Sequence, residues 1–239
     1  MGLPFDKLLA AGAAGLATVL AGVTVTQAVS EPKTQAFRTL DVQRVNLREA
    51  NGTLRLVMAG KSSFPGIIWK GKDYPHPSRN NAAGWIFLND EGTENGGMIW
   101  GAHKGPDGKV SGFGHLSFDQ YENDQVLSLE QGEEDGHRAA GLTIMDRPDR
   151  SMDVAALMAA MAMKDGPEKQ KAMASLSEAG FGGASRLFFG KEEGTTQVVL
   201  KDANSKPRLR VRVTPKGDSA IEFLDADGKV VRAMTPNAG

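Results

Sequence analysis

The chain lacks cysteine, carries almost no net charge and has few aromatic residues. Among its 239 residues, 28 Lys and Arg stand against 29 Asp and Glu, and aromatic residues make up 6%. The absence of cysteine excludes a disulfide scaffold, a thiol nucleophile and a zinc site built on thiolates. A net charge of −1 excludes the overall basic character of a nucleic-acid-binding protein. With 40% hydrophobic residues, the composition is that of a globular protein.

Charge is also missing locally, because residues 8–30 contain no Asp, Glu, Lys or Arg. As a helix this segment would be about 34 Å long, enough to cross a hydrocarbon core of about 30 Å. It fits either a cleaved secretory signal or an uncleaved signal anchor. Its apolar part, residues 8–25, exceeds the roughly 7–15 residues of a signal peptide, which favours the anchor. We therefore expect residues 1–30 to be a single transmembrane helix in a bacterial inner membrane, with the main domain periplasmic.

Small residues recur along this predicted helix at the spacing of helix–helix packing motifs. They form either a packing surface for another membrane helix or simply the Ala- and Gly-rich composition of such segments. The residues of this predicted packing surface are Ala11, Gly12, Ala14, Gly15, Thr18 and Gly22.

Beyond a short linker at residues 31–36, the pattern of residues 37–236 is that of an all-β domain. Short apolar runs alternate with Asn-Gly and Asp-Gly turns, which accept the positive φ of tight hairpins. A motif of the form L-x-D-x-G/N recurs at residues 88–92 and 200–204, with a variant at 224–228. Regular repetition of antiparallel hairpins predicts a closed architecture, either a small β-propeller or a β-barrel, because closure removes exposed edges.

Residues 151–180 interrupt the β pattern and predict an inserted helical hairpin. Ser151 and Asp165 are the expected caps of its two helices. Six of the ten methionines fall between residues 145 and 173. Because methionine adapts to irregular surfaces, these side chains either fill gaps in the core or form a docking surface for a partner. The methionines of this predicted docking surface are Met158, Met161, Met163 and Met173.

Three carboxylates are the candidates for catalysis. Asp90 and Glu94 lie in a Gly-rich turn, and Asp119 follows an apolar strand. Paired carboxylates hydrolyse glycosides, and such a site requires that two of them share a cleft and that one has a raised pKa. Ordinary polar turns explain the same residues. No nucleophile elbow, phosphate-binding loop or dinucleotide motif is present, and we predict no cofactor and no metal.

Two further groups of residues each have a binding and a structural interpretation. Arg208, Arg210 and Arg212 alternate with apolar residues and form either an anion or lipid-headgroup site or cross-strand ion pairs with Glu222 and Asp225. Trp69, Trp85 and Trp100 form either an aromatic groove for a ligand or part of the core.

Several strings of the sequence are distinctive when taken together. They are FPGIIWKGKDYPHP at residues 64–77, NDEGTENGG at 89–97, SFDQYENDQ at 117–125 and LTIMDRP at 142–148. With them, the chain resembles a family of uncharacterised bacterial proteins that often carry an N-terminal hydrophobic segment. The resemblance implies a bacterial origin and one β-rich domain. No activity is established for that family, so no catalytic residue is carried over from it.

These observations favour a non-catalytic, membrane-anchored accessory or scaffold subunit. We expect its β domain to dock onto a larger inner-membrane complex of the respiratory or photosynthetic type. The anchor, the near-zero net charge and the lack of a catalytic motif support this hypothesis. The alternatives are a periplasmic hydrolase that acts on glycans through the loop carboxylates, and a ligand-binding β module with an aromatic groove.

Overall fold

The computed structural model describes residues 34–177 and 181–236, apart from the side chain of Ser78. The chain divides into two compact units, Met1–Asp41 and Val42–Gly239. The predicted transmembrane helix and its small-residue packing surface lie outside the described residues. None of the helices that the structure describes has the length and apolarity needed to span a membrane.

The second unit is built on one antiparallel sheet of twelve strands, in which each strand pairs with its neighbours along the chain. The strands of the sheet are β1 (Arg44–Arg48), β2 (Leu54–Ala59), β5 (Ala83–Leu88), β6 (Glu94–Lys104), β7 (Val110–Asp119), β8 (Gln125–Glu134), β9 (His137–Asp146), β10 (Ala184–Glu192), β11 (Thr195–Lys201), β12 (Pro207–Val213), β13 (Ser219–Leu224) and β14 (Val230–Met234). A separate hairpin of β3 (Ile67–Trp69) and β4 (Lys72–Tyr74) is inserted between β2 and β5.

The prediction of an all-β domain of antiparallel hairpins is confirmed, but the predicted closure is not found. In the described part of the chain, β1 pairs only with β2 and β14 only with β13, so the sheet is one open meander. It is neither a barrel nor a set of separate propeller blades. A series of hairpins predicts which strands are neighbours. It does not predict whether the first and last strands pair with each other and close the sheet. Both edge strands are five residues long, and short edges limit edge-to-edge association.

The repeated turn motif has one structural basis in all three of its copies. The Oδ1 atoms of Asn89, Asp202 and Asp225 each accept hydrogen bonds from the backbone N–H groups two and four residues further on. This side chain mimics a backbone turn and fixes the hairpin. Asn89 is the second residue of its copy of the motif, whereas Asp202 is the third residue of its copy. The structural alignment of these two turns therefore differs by one residue from the alignment of the sequence motif.

The helical hairpin consists of α1 (Val154–Met161) and α2 (Pro167–Leu176). Both expected caps are wrong. Asp153 caps α1 by accepting a hydrogen bond from the N–H of Ala156, because it stands immediately before the first helical residue. Gly166 precedes α2, and Asp165 instead forms an ion pair with Lys169.

The core lies where the β3–β4 hairpin covers the first strands of the sheet. Val57 of β2 and Ile86 of β5 face each other across the strand pair, and Ile68 of β3 packs with them and with Leu88. Side chains alternate across a strand, so the neighbouring residues of β2 and β5 point to the opposite face of the sheet. The two faces therefore have different surroundings, and each presents a candidate site.

Candidate functional site

One face of the sheet, which we name the apolar face, is a continuous hydrophobic surface that no described segment covers. In each strand every second side chain points to this face, and the registers align these residues from one strand to the next. Its exposed large side chains are Val45, Leu47, Trp85, Trp100, Val110, Phe118, Leu129, Ile144, Phe189, Leu200, Val211, Val213, Ile221, Phe223 and Met234. Two of the most exposed lie near its centre, Leu129 at 54% and Phe189 at 55%.

A shallow trough crosses the middle of the apolar face at Gly114. A Cβ at this glycine would meet no atom within 4 Å. The missing side chain opens a depression of about 530 Å³ whose walls include Met98, Trp100, Leu116 and Leu129. The apolar face is therefore not flat. Large side chains surround a depression into which a protruding apolar group of a partner would fit.

The apolar face carries charged side chains at its margins: Arg232 of edge strand β14 lies opposite Phe223, and a larger group lies toward one end of the long central strands. Lys104, Arg138 and Lys191 lie there, and Glu133 forms an ion pair of 2.8 Å with Arg138. The polar end and the apolar middle follow the usual arrangement of an interface, with a hydrophobic centre and a charged rim.

The opposite face carries a polar cleft of about 260 Å³ between the sheet, the β3–β4 hairpin and α1. The lining combines apolar and polar side chains, among them Ile67, Trp69, His76, Arg79, Glu94, His115, Asp119, Asn123, Asp124, Leu157 and Phe181. Three of the four distinctive strings contribute lining residues, and Arg147 of the fourth string pairs with Asp124 at the border of the cleft.

Arg79 and Glu94 form the wall of the cleft nearest the β3–β4 hairpin. Two guanidinium nitrogens donate to the two carboxylate oxygens of Glu94, each at 2.7 Å. Glu94 Oε1 also accepts a hydrogen bond of 2.6 Å from the N–H of Ile68, and Arg79 donates to the carbonyl of Gly66. Both side chains are more than four-fifths buried. The pair therefore ties β3 to β6, and Glu94 has no free oxygen for chemistry.

Asp119 is the most strongly perturbed acid in the cleft. Burial, and after it the carboxylates of Asp124 and Glu94, raise the pKa of Asp119 to about 7, while Arg79 and Arg147 oppose them with smaller effects. Its Oδ1 atom is buried and has no hydrogen-bond partner among the described residues. Burial, with help from Arg79, lowers the pKa of the neighbouring His76.

A second buried carboxylate, Glu122, lies in the turn between β7 and β8. Its oxygens pair with Lys70 Nζ at 2.8 Å and with the hydroxyl of Ser151. Both hydrogen bonds lower the pKa of Glu122, and the one from Lys70 has the larger effect. These interactions connect the β3–β4 hairpin, the β7–β8 turn and the segment before α1, and they thereby stabilise the walls of the cleft.

The sequence-predicted carboxylates separate in the structure. Glu94 and Asp119 line the same cleft, whereas Asp90 is exposed on its turn and pairs with Arg55. Of the methionines predicted for docking, Met163 is exposed, while Met158, Met161 and Met173 are partly buried.

The remaining predicted groups also divide between the two faces. Trp69 is buried beside the cleft, and Trp85 and Trp100 lie on the apolar face, so the three rings share no groove. Arg210 and Arg212 both pair with Glu222, as the cross-strand hypothesis expects, and Arg208 pairs with Asp202 instead of Asp225.

Sequence reasoning missed Arg79 and Arg147, which control the charge of the cleft. Arg147 Nε donates to the carbonyl of Gln125, and its guanidinium lies 3.1 Å from Asp124. Arg79 lies near the Pro-rich stretch and Arg147 within LTIMDRP, and the distinctiveness of these strings was the only available signal.

No protein-family model, curated protein or solved structure matches this chain. Within residues 34–177 and 181–236, no three His, Asp or Glu side chains come together in a way that could hold a metal ion. The apolar face and the cleft are the two candidate sites of the described residues.

Proposed function

We propose that this protein is a non-catalytic accessory or scaffold subunit that docks onto a larger inner-membrane complex of the respiratory or photosynthetic type. The observation that carries the proposal is the apolar face, whose exposed large side chains extend from β1 to β14. Residues 8–30 are proposed to anchor the chain in the membrane, with the sheet on the periplasmic side.

The size of the apolar face supports docking. At about 4.8 Å per strand, twelve strands span roughly 50 Å, and a ten-residue strand is roughly 33 Å long. Allowing for the shorter outer strands, the surface is on the order of 1,000 Å², above the roughly 300–600 Å² of the largest apolar patch on a typical monomer. A stable protein–protein interface buries about 800 Å² on each partner. One partner subunit can therefore cover most of this face.

The composition of the apolar face fits a protein partner. Trp85, Trp100, Phe118 and Phe189 supply exposed aromatic rings, which are enriched at interface centres. Backbone hydrogen bonds within the sheet are already made between neighbouring strands, so docking requires only the burial of side chains. The partner surface is expected to be apolar, with acidic groups opposite Lys104 and Lys191.

The docking surface can be tested with charged variants of the full chain, isolated from solubilised bacterial membranes. Leu129→Lys and Phe189→Lys each place a charge at the centre of the apolar face. Tyr121→Lys is the matched control, because Tyr121 is exposed on the β7–β8 turn, and Met163→Lys tests the helical hairpin as the docking surface.

We expect integral-membrane subunits to co-purify with the wild-type chain and with Tyr121→Lys, and to fall at least tenfold with the two variants of the apolar face. Equal recovery with all of these variants would contradict docking through the apolar face. Loss with Met163→Lys alone would assign docking to the helical hairpin instead.

The hydrolase hypothesis has one observation in its favour, since Asp119 has the raised pKa that a general acid needs. Glu94 counts against it, because Arg79 and the N–H of Ile68 occupy both of its oxygens. Asp90 is paired with Arg55 on an exposed turn and does not line the cleft. The described residues therefore offer an acid without a second free carboxylate, and we favour binding over catalysis.

A further inference from the structure

The cleft lies on the face of the sheet opposite to the apolar face, and its chemistry is independent of docking. Apolar side chains of Ile67, Trp69, Leu157 and Phe181 form part of its wall. Polar groups lie between them, and some of their hydrogen-bonding atoms have no partner in the part of the chain that the structure describes. These unpaired atoms determine the kind of ligand that the cleft can bind.

Two buried acceptors in the lining of the cleft lack a donor. Asp119 Oδ1 and His115 Nε2 have no hydrogen-bond partner among the described residues. The other ring nitrogen of His115, Nδ1, lies 3.1 Å from a carboxylate oxygen of Glu130. In the neutral tautomer that carries its proton on Nδ1, beside this carboxylate, Nε2 is an acceptor. A ligand that fits here must donate at both positions.

The cations that border the cleft are already engaged. Arg79 is bound by Glu94 and the carbonyl of Gly66, and Arg147 by Asp124 and the carbonyl of Gln125. Asp119 has no ion pair of its own in the described part of the chain. Asp119 therefore lies near the carboxylates of Asp124 and Glu94 without a cation of its own, among the described residues, to balance its charge.

The spacing of the two acceptors defines the length of the ligand. His115 and Asp119 are four residues apart on the same face of β7, so their Cα atoms are separated by about 13 Å. One compact donor group cannot reach side chains this far apart, so a ligand that meets both acceptors carries two donors joined by a short chain. A linear chain of about five carbons is of the right order to test this reach.

We propose that the cleft binds a small linear aliphatic amine, with its ammonium group at Asp119 and a second N–H donor at His115. An ammonium has three donors and no acceptor, and it supplies the charge that Asp119 lacks. The apolar wall formed by Trp69, Leu157 and Phe181 receives the methylene chain. An anionic ligand is disfavoured, because both guanidinium groups near the cleft are held by carboxylates.

Binding of the amine requires the ionised form of Asp119. Burial has the largest effect on the pKa of this carboxyl, followed by the charges of Asp124 and Glu94, which also raise it, and of Arg79 and Arg147, which lower it. Because its pKa is about 7, the carboxyl is mostly protonated at pH 5.5 and mostly ionised at pH 8. Affinity for an amine is therefore expected to fall by at least about tenfold between pH 8 and pH 5.5.

The test is calorimetric titration of the full chain in detergent at pH 8 with 1,5-diaminopentane as the probe. The neutral isostere 1,5-pentanediol is the matched ligand control. Asp119→Asn removes the charge with little change in shape, and Asp90→Asn removes an exposed carboxylate outside the cleft. His115→Phe removes the second acceptor.

We expect saturable binding of the diamine to the wild-type chain and to Asp90→Asn, at least tenfold weaker binding to Asp119→Asn, and no binding of the diol. His115→Phe is expected to lose more affinity for the diamine than for n-butylamine, which has no second donor. Absence of diamine binding to a folded wild-type chain, equal binding of the diol, or unchanged binding by Asp119→Asn would overturn the proposal. Thermal unfolding of each variant at pH 8 verifies that the chain is folded.

Discussion

Arg79 donates two parallel hydrogen bonds of 2.7 Å to Glu94 and thereby links the segment after the small hairpin to the main sheet. Glu94 begins β6 of the large sheet, while Arg79 lies in the segment that follows the small β3–β4 hairpin. Glu94 also accepts the N–H of Ile68 in β3. One buried carboxylate therefore attaches the hairpin, which covers the core and walls the cleft, to the main sheet.

Glu94→Gln is expected to lower the free energy of unfolding by about 3–5 kcal/mol, because it leaves the buried guanidinium of Arg79 without a counter-charge. Urea denaturation followed by tryptophan fluorescence measures the change, since Trp69 lies beside the pair. The exposed pair of Glu133 and Arg138 provides the control. Glu133→Gln should cost far less, because water screens an exposed ion pair. Equal losses for the two variants would contradict a structural role of the Arg79–Glu94 pair.

Asp119 gives stability a pH dependence with an unusual sign for an acid. Its pKa rises from the ordinary 3.8 to about 7 on folding, so between these values the folded chain retains a proton that the unfolded chain loses. Stability contributed by this group is therefore full below about pH 4 and is lost as pH rises through 7. The difference amounts to roughly 4 kcal/mol at most.

Asp119→Asn should remove this dependence and make the chain more stable than the wild type at pH 8. Unfolding free energies from urea denaturation at pH 5, 6, 7 and 8 measure the effect. Asp90→Asn, on an exposed turn, should leave the wild-type pH profile unchanged. A profile of Asp119→Asn that parallels the wild type would show that Asp119 is ionised throughout this range.

Gly96 allows β6 and β7 to approach each other closely. Its φ is +123°, and a Cβ there would lie 2.3 Å from the carbonyl oxygen of Ser117. Gly96→Ala should therefore destabilise the chain by about 2–4 kcal/mol, through both the strained backbone and the clash. The control is Gly114→Ala in the neighbouring strand, where a Cβ meets no atom within 4 Å. Thermal unfolding should separate the two variants clearly, and similar midpoints would contradict this packing.

The local part of the fold could be predicted from the sequence. Alternation in β12 correctly placed Leu209, Val211 and Val213 on one face and the arginines on the other. The pairing of Arg210 and Arg212 with Glu222 followed from the same alternation, because adjacent strands of a hairpin bring such residues together. These are short-range relations, which periodicity and turn chemistry determine.

The open edges, the uncovered face and the cleft could not be predicted in this way. Alternation shows that Leu129 and Phe189 share an apolar face, but whether a second layer covers that face depends on segments distant in sequence. The cleft brings together Arg79, Glu94 and Asp119, with Arg147 at its border, from four separate parts of the chain. Of the carboxylates predicted from the sequence, Asp119 and Glu94 line the cleft, whereas Asp90 lies on an exposed turn and pairs with Arg55.

The docking proposal is tested most directly by site-specific photo-crosslinking of the full chain in bacterial membranes. A benzoylphenylalanine at Leu129 probes the centre of the apolar face, and the same group at Tyr121 is the control outside it. We predict that position 129 yields a crosslink to a subunit of a larger inner-membrane complex and that position 121 does not. Crosslinks from position 129 only to a second copy of this chain, or none from 129 with the same products from 121, would contradict the account.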